Sequence, residues 1–274
     1  MKSLTIKAPA KINLHLQVLK KRKDKFHNIN TVFQFIDLFD IISFELTKGQ
    51  ISLKEEPIKI KKNIVIKAAS ILKKETNTKW GANISLSKNI PIQKGLGGGS
   101  SDAAATLVGL NYLWGTELNE KELCQIGQGL GSDIPVFIKG TPAWGEGKGE
   151  ILSKIKLPQR SYLLAFPEIG ISTKIAFDNI IIKSGPKYTL EQFKKGKKVN
   201  DFQNWAIESS NEIREAFDIL AEYGEPMLTG TGSALFIELK DLTIKPGILT
   251  KILEKLDVII VNSLDYSPLR PFLS

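Results

Sequence analysis

Near the start of the chain Ile12, Leu14 and Leu16 alternate with Lys11, Asn13 and His15, the two-residue period of a strand with one apolar face. The pattern predicts a strand pair, or one long strand interrupted at Pro9, over Leu4 to Leu19. Lys11, Asn13 and His15 then share its polar face, which is either solvated or part of a site; the Ala8-Pro9-Ala10 turn before it favours a site strand. A basic turn from Lys20 to Lys25 leads to Phe26-His27 and the apolar stretch Val32 to Phe44, and Ile51 to Ile60 reads as strand and turn. The period then changes: Ile64, Ala68, Ile71 and Leu72 form a stripe that predicts a helix beginning near Asn63 and running to Lys74. Ala82 to Leu86 alternates again as a strand.

Further on, Leu107, Leu110 and Leu113 are spaced for one buried face of a helix over Ala103 to Trp114, closed by Gly115. Asn119-Glu120-Lys121-Glu122 has the form of a capping box for a helix that Gly129 and Gly131 close. In Gly131-Ser132-Asp133-Ile134-Pro135, Ser132 can cap and Pro135 suits a first helical turn, so Asp133 sits at a positive helix end. Thr141 to Gly149 reads as a glycine-rich loop. The second half carries strands at Tyr162 to Ala165, Ala234 to Leu239 and Val258 to Val261. Helices are expected near Phe177, over Asp201 to Tyr223 and near Pro246 to Leu256. Lys183 to Asn200, polar and basic, reads as a surface excursion. A boundary near residues 150–160 divides the chain into residues 1–155 and 156–274.

The chemistry concentrates in Pro91-Ile92-Gln93-Lys94-Gly95-Leu96-Gly97-Gly98-Gly99-Ser100-Ser101-Asp102. Four glycines in five residues allow positive φ and close approach of a ligand to the backbone. Ser100, Ser101 and Asp102 are residues that start helices, so the loop feeds a helix N-terminus, whose free N–H groups and dipole suit a phosphate. Lys94 adds a mobile cation at the loop mouth. A side chain at Gly98, as in Gly98→Val, is expected to occupy the space a phosphate needs. The run lacks the Gly-Lys-Ser/Thr ending of a P-loop and the spacing of a dinucleotide fingerprint. A second small-residue turn, Leu228-Thr229-Gly230-Thr231-Gly232-Ser233, precedes an apolar strand. It is either a tight hairpin turn or a second wall of the same site.

At 274 residues with 42% apolar content, the chain suits one large or two moderate domains. No apolar run approaches the roughly 18 residues of a membrane span, and Met1 to Lys7 lacks the apolar core of a secretion signal. Cys124 stands alone, which excludes a disulfide framework, fits a reducing cytoplasm and reads as a small buried hydrophobe. The net charge of +9 is spread over scattered lysines without interleaved aromatics. A solvated basic surface that favours anionic small molecules fits better than a nucleic-acid partner.

Pro9-Ala10-Lys11-Ile12-Asn13-Leu14, the loop Pro91 to Ser101 continuing to Ala105, and Leu228 to Ser233 together resemble the three motifs of the GHMP kinase superfamily. Ala8 to Leu14, Gly131 to Phe137 and Tyr266-Ser267-Pro268-Leu269 are most similar to the branch of non-mevalonate isoprenoid (terpenoid) biosynthesis, whose acceptor is a cytidine-diphosphate-linked polyol. The resemblance implies a two-domain α+β fold. It pairs an N-terminal ribosomal-protein-S5-domain-2-like α/β domain with a C-terminal ferredoxin-like antiparallel sheet with helices, and the site lies between them. It implies a cytoplasmic, ATP-dependent phosphotransferase with Mg²⁺ and a small cytidyl substrate. Another superfamily kinase, for homoserine or mevalonate, or a non-catalytic basic RNA-binding relative, are the alternatives.

Residue by residue, the resemblance makes Asp133 the catalytic aspartate and Lys11 its partner. Pro91, Lys94, Gly95, Leu96, Gly97, Gly98, Gly99, Ser100 and Ser101 would bind ATP, and Ser101 or Asp133 is the candidate ligand of Mg²⁺. Asn63 lies where relatives contact the nucleotide, although an N-cap role explains it equally well. Phe26 and His27 would take the cytosine by stacking and hydrogen bonding. Relatives often carry Gly-Tyr before this histidine, where this chain has Lys25-Phe26. Asn13, Thr229 and Gly230 would contact the acceptor, and His15 is structural.

Overall fold

The computed structural model describes residues 2–54, 63–182, 185–239, 252 and 254–273. Its spine is a long antiparallel ribbon of β1 (Ser3–Lys21) and β2 (His27–Lys48), in register from Ser3 opposite Glu45 to Lys21 opposite His27. The interruption expected at Pro9 is a bulge within one strand. Proline cannot donate to the ladder, so the register shifts between Pro9 and Ala10 and pairing resumes. A second shift lies between Asn13 and His15. At these irregularities β1 reaches other partners: Lys11 N–H donates to Leu96 O (3.0 Å) and Asn13 N–H to Thr229 Oγ1 (3.0 Å).

The other edge of β2 is shared by three strands. β4 (Trp80–Ser87) lies along residues 41–48, β10 (Val258–Leu264) at Phe35 and Ile36, and β5 (Ala143–Glu146) at residues 31–33. β3 (Ile51–Lys54) adds in parallel to β4, and β6 (Ile151–Lys154) pairs with β5. β10 continues the sheet into the second half through β7 (Ser161–Ala165), β9 (Leu235–Leu239) and β8 (Met227–Leu228). On the first half, α1 (Ile64–Thr76), α2 (Gly98–Trp114), α3 (Glu120–Leu130) and α4 (Ile134–Lys139) close a core around Ile6, Phe35, Phe44, Leu107 and Phe137. On the second, α5 (Thr173–Asn179), α7 (Gln203–Ser209) and α8 (Asn211–Ala221) pack Ala176, Phe202, Ile213 and Leu220 against Leu163, Leu235 and Ile237. The short α6 (Leu190–Lys194) precedes them. The chain end returns to the first core, where Leu269 is fully buried.

Several expectations change in three dimensions. α2 begins at Gly98, with Gly97 at φ 73° as its cap, so Ser100, Ser101 and Asp102 lie inside the first turns and cap nothing. Its buried face is no narrow leucine stripe: every residue from Ser101 to Asn111 is buried, because α2 is enclosed by the sheet and neighbouring helices. Asp133, not Ser132, takes the N-cap position of α4. The stretch 141–149 contains β5, since Ala143 and Trp144 find a partner in β2. The helix expected over Asp201 to Tyr223 is two, broken at Ser210, whose extended backbone and side chain cap α8. The described part of the supposed excursion, residues 185–200, lies against β1, with Leu16 N–H donating to Val199 O (2.7 Å) and Gln17 bonded to Pro186 and Tyr188. Most of Pro246 to Leu256, and residues 55–60 of the second strand-and-turn reading, lie outside the described residues.

His15 sits under this packed segment. It is fully buried against Trp144, Tyr188 and Phe193, and neither ring nitrogen has a hydrogen-bond partner among the described residues. Burial pushes the imidazole down to about 4. The folded state therefore favours neutral His15, and stability present above the unfolded value near 6.5 is lost as pH falls toward 4. By pH 5 the loss amounts to about 2 kcal/mol. His15→Phe is expected to flatten the fall in melting temperature between pH 7.5 and pH 5; an unchanged slope would contradict this account.

Candidate active site

The glycine loop is shaped by what it touches. A Cβ on Gly95 (φ 75°) would lie 2.1 Å from Thr229 O, and one on Gly97 (φ 73°) 2.8 Å from Phe137 Cζ and 3.0 Å from Lys11 Cε. Neither position accepts a side chain, by conformation or by space. The loop therefore packs against Lys11 of β1 on one side and the second glycine turn on the other. Gly230 closes on it from that turn, where a Cβ would stand 2.8 Å from Gly95 O. The structure thus brings the two glycine segments, far apart in sequence, into backbone contact.

Leu96 anchors the loop in the core, and Pro91 and Lys94 are half-buried at its entry. The first N–H groups of α2, at Gly98, Gly99 and Ser100, precede the first helical bond, Ser101 N–H to Gly97 O (2.9 Å). Ser101 Oγ is buried in the same turn without a hydrogen-bond partner among the described residues. A Cβ on Gly98 would point at Ile90 and Lys88, into the protein, whereas one on Gly99 would meet nothing within 4 Å. The position expected to report on phosphate access therefore moves from Gly98 to Gly99. Gly99→Val is expected to weaken ATP binding at least about tenfold with little change in melting temperature, read by calorimetric titration and thermal unfolding. Unaltered affinity would exclude a phosphate at this helix head.

Lys94 does not stand free at the loop mouth. Its ammonium donates to Pro167 O and to Ile169 O (2.7 Å), tying the loop to the second half of the chain. Behind the helix head lies a cluster that no sequence pattern announces. Lys88 bonds both Asp40 and Asp102 (2.7 Å), and Asp40 also accepts from Asn89 N–H (2.6 Å) and Ile90 N–H (2.8 Å). Burial raises the Asp102 carboxyl to about 7, opposed by Lys88. Burial alone would lower Lys88, but the two carboxylates outweigh it and raise its pKa.

Lys11 and Asp133 meet, as the resemblance implies. Lys11 Nζ lies 3.8 Å from Asp133 Oδ2 and donates to Asn13 Oδ1 (2.5 Å) and Gly95 O (2.9 Å). Lys11 is buried, while Asp133 keeps 30% of its side chain exposed, so the pair opens on one side. Burial lowers the Lys11 pKa, and attraction to Asp133 opposes that shift. Asn13 Nδ2 donates to Thr31 Oγ1 (2.7 Å), which fixes the amide that receives Lys11.

The proposed base-binding residues stand at the β1–β2 hairpin. Phe26 is 54% exposed, with Lys148 Nζ 4.7 Å from its ring centroid. His27 is buried and stacks on Phe177 (centroids 5.3 Å apart). Burial lowers the His27 pKa, assisted by Lys21 and opposed by Asp178. Phe177 escapes sequence reading because it lies 150 residues away from His27, on α5. Asn63 acts as the N-cap of α1, its Oδ1 accepting from Val65 N–H (2.9 Å). Cys124 is half-buried, and burial pushes its thiol up to about 11, against a nucleophilic role. No helix among the described residues is long and apolar enough to cross a membrane.

Residues 63–141 match the family described as GHMP kinases N terminal domain. A 4-diphosphocytidyl-2-C-methyl-D-erythritol kinase of Pasteurella multocida (strain Pm70) is 40% identical over 237 residues, covering 85% of this chain and 80% of that protein. The kinase of the same name from Acinetobacter baumannii (strain ACICU) is 38% identical over 277 residues, covering 98% of each. A crystal structure of 4-(cytidine 5'-diphospho)-2C-methyl-D-erythritol kinase is similar with a TM-score of 0.82 at 27% identity, over 95% of this chain and 99% of that one. Because the identity runs through nearly the full chain and is not confined to the glycine loop, the chain belongs to the 4-diphosphocytidyl-2-C-methyl-D-erythritol kinase family of the GHMP kinases.

Proposed function

We propose that this chain transfers the γ-phosphoryl group of ATP to a hydroxyl of 4-diphosphocytidyl-2-C-methyl-D-erythritol, giving the 2-phosphate, in the cytoplasm. The observation that carries the reading is that Lys11 joins both halves of the chemistry. It faces Asp133 and bonds Gly95 O in the phosphate loop. Asp133 accepts the hydroxyl proton as the oxygen attacks phosphorus and ADP departs, while Lys11 offsets the charge gathering on the transferring group. The N–H groups at Gly98 to Ser100 hold the phosphates, where the helix dipole favours negative charge. The unpartnered Ser101 Oγ is the group available to Mg²⁺, which would neutralise phosphate charge.

Asn13 and Thr229 orient the acceptor polyol at the β1 side of the cleft. Phe26, His27 and Phe177 receive the cytosine, where stacking supplies affinity and His27 supplies a hydrogen bond. The two-lobed division near residue 155 is supported by β6 pairing with β5 while β7 pairs with β9 and β10. A coupled ADP-release assay tests the reading, with 4-diphosphocytidyl-2-C-methyl-D-erythritol, homoserine and mevalonate as parallel acceptors. Turnover of the cytidyl acceptor alone is expected; equal turnover of homoserine or mevalonate would overturn the assignment.

A further inference from the structure

Asn200 ends the segment that crosses β1, and its side chain is buried beneath the second glycine turn. Its amide is fully used. Nδ2 donates to Leu228 O (2.7 Å) and Gly230 O (2.9 Å), and Oδ1 accepts from Phe202 N–H (3.0 Å). The two accepting carbonyls flank Thr229, so the amide clamps the backbone on both sides of that residue. Thr229 Oγ1 in turn accepts from Asn13 N–H (3.0 Å) and lies 3.4 Å from Gly95 O, the carbonyl to which Lys11 donates. The backbone around Asn200 is held to β1 by Leu16 N–H to Val199 O and Asp201 N–H to Leu16 O (2.9 Å). Gln203 Oε1 accepts from Leu228 N–H (2.9 Å).

We infer that Asn200 is a positioning residue for phosphoryl transfer, acting through Thr229 and Gly95 to hold Lys11 in register with Asp133. The inference rests on the function proposed above. It requires a side chain with two N–H donors on one atom, which among short side chains only asparagine supplies in this shape. A carboxylate of the same size would put an acceptor oxygen where the donor now faces both carbonyls.

Asn200→Asp is expected to lower kcat about 10- to 100-fold, the scale of a small misplacement far from the reacting atoms. The KM for ATP should stay within about threefold, because the α2 head is untouched. A double-mutant cycle with Thr229→Val gives the reading that general destabilisation would not: the double variant should be no slower than the slower single variant. Should Asn200→Asp not fold, Asn200→Ser, which keeps one donor, is scored identically. A kcat within twofold of the parent, or kcat losses that multiply in the double variant, overturns the inference while the parent's turnover leaves the proposed function standing. A parent that does not turn over the cytidyl acceptor overturns both.

Discussion

Asp133→Asn is expected to reduce kcat by about 10²- to 10⁴-fold, the usual contribution of a positioned general base, while ATP affinity changes little. The substitution keeps the shape of the side chain and removes its ability to take a proton. It also leaves Lys11 bonded to Asn13 and Gly95, so the lysine need not move. The α2 head that would grip the phosphates lies on a different element from Asp133, which stands at the N-cap position of α4. Single-turnover kinetics with saturating ATP, alongside calorimetric ATP titration, separates the two effects. Near-parental turnover would remove Asp133 from the chemistry. Parallel loss of ATP affinity would instead make it a binding residue.

Lys88→Met is expected to destabilise the fold by about 3–5 kcal/mol, because it leaves two carboxyl groups buried without their cation. Asp40 and Asp102 are almost wholly buried on opposite elements, β2 and α2, and Lys88 bonds both. With the ammonium gone, burial holds the proton on Asp102 more tightly in the folded state than in the unfolded state. Folding then takes up protons, so stability falls as pH rises. The melting-temperature deficit should therefore be larger at pH 8.5 than at pH 5.5, and Asp102→Asn in the same chain should recover part of it. A deficit independent of pH would mean that lost packing of the lysine stem, not uncompensated charge, is responsible.

The strand of Lys11 was legible because it carries its period in a few consecutive residues, and the helix behind the glycine loop because helix formers predominate between two glycine stops. The capping box at Asn119 was legible for the same reason: Asn119 and Glu122 bond each other's backbone within one turn. The lysine–aspartate pair was reached through family resemblance, since no spacing rule connects residues 11 and 133. Where local rules failed, a distant partner had intervened. Ser100 to Asp102 have the chemistry of caps, but the left-handed Gly97 starts the helix earlier and places them inside its first turns. Lys94 looks free in sequence, yet carbonyls more than 70 residues away hold it.

The sequence by itself determined that a glycine-rich loop meets a helix, that a polar-faced strand carries a lysine, and that strands and helices alternate around a substantial apolar core. Those features depend on backbone torsion and side-chain period, which act over a few residues. The tertiary structure alone decided that Gly99 and not Gly98 faces open space, that Lys88 bridges two carboxylates, that Phe177 meets His27, and that Asn200 clamps Thr229. Each of these is a contact between elements, and its geometry follows from how the whole sheet brings them together.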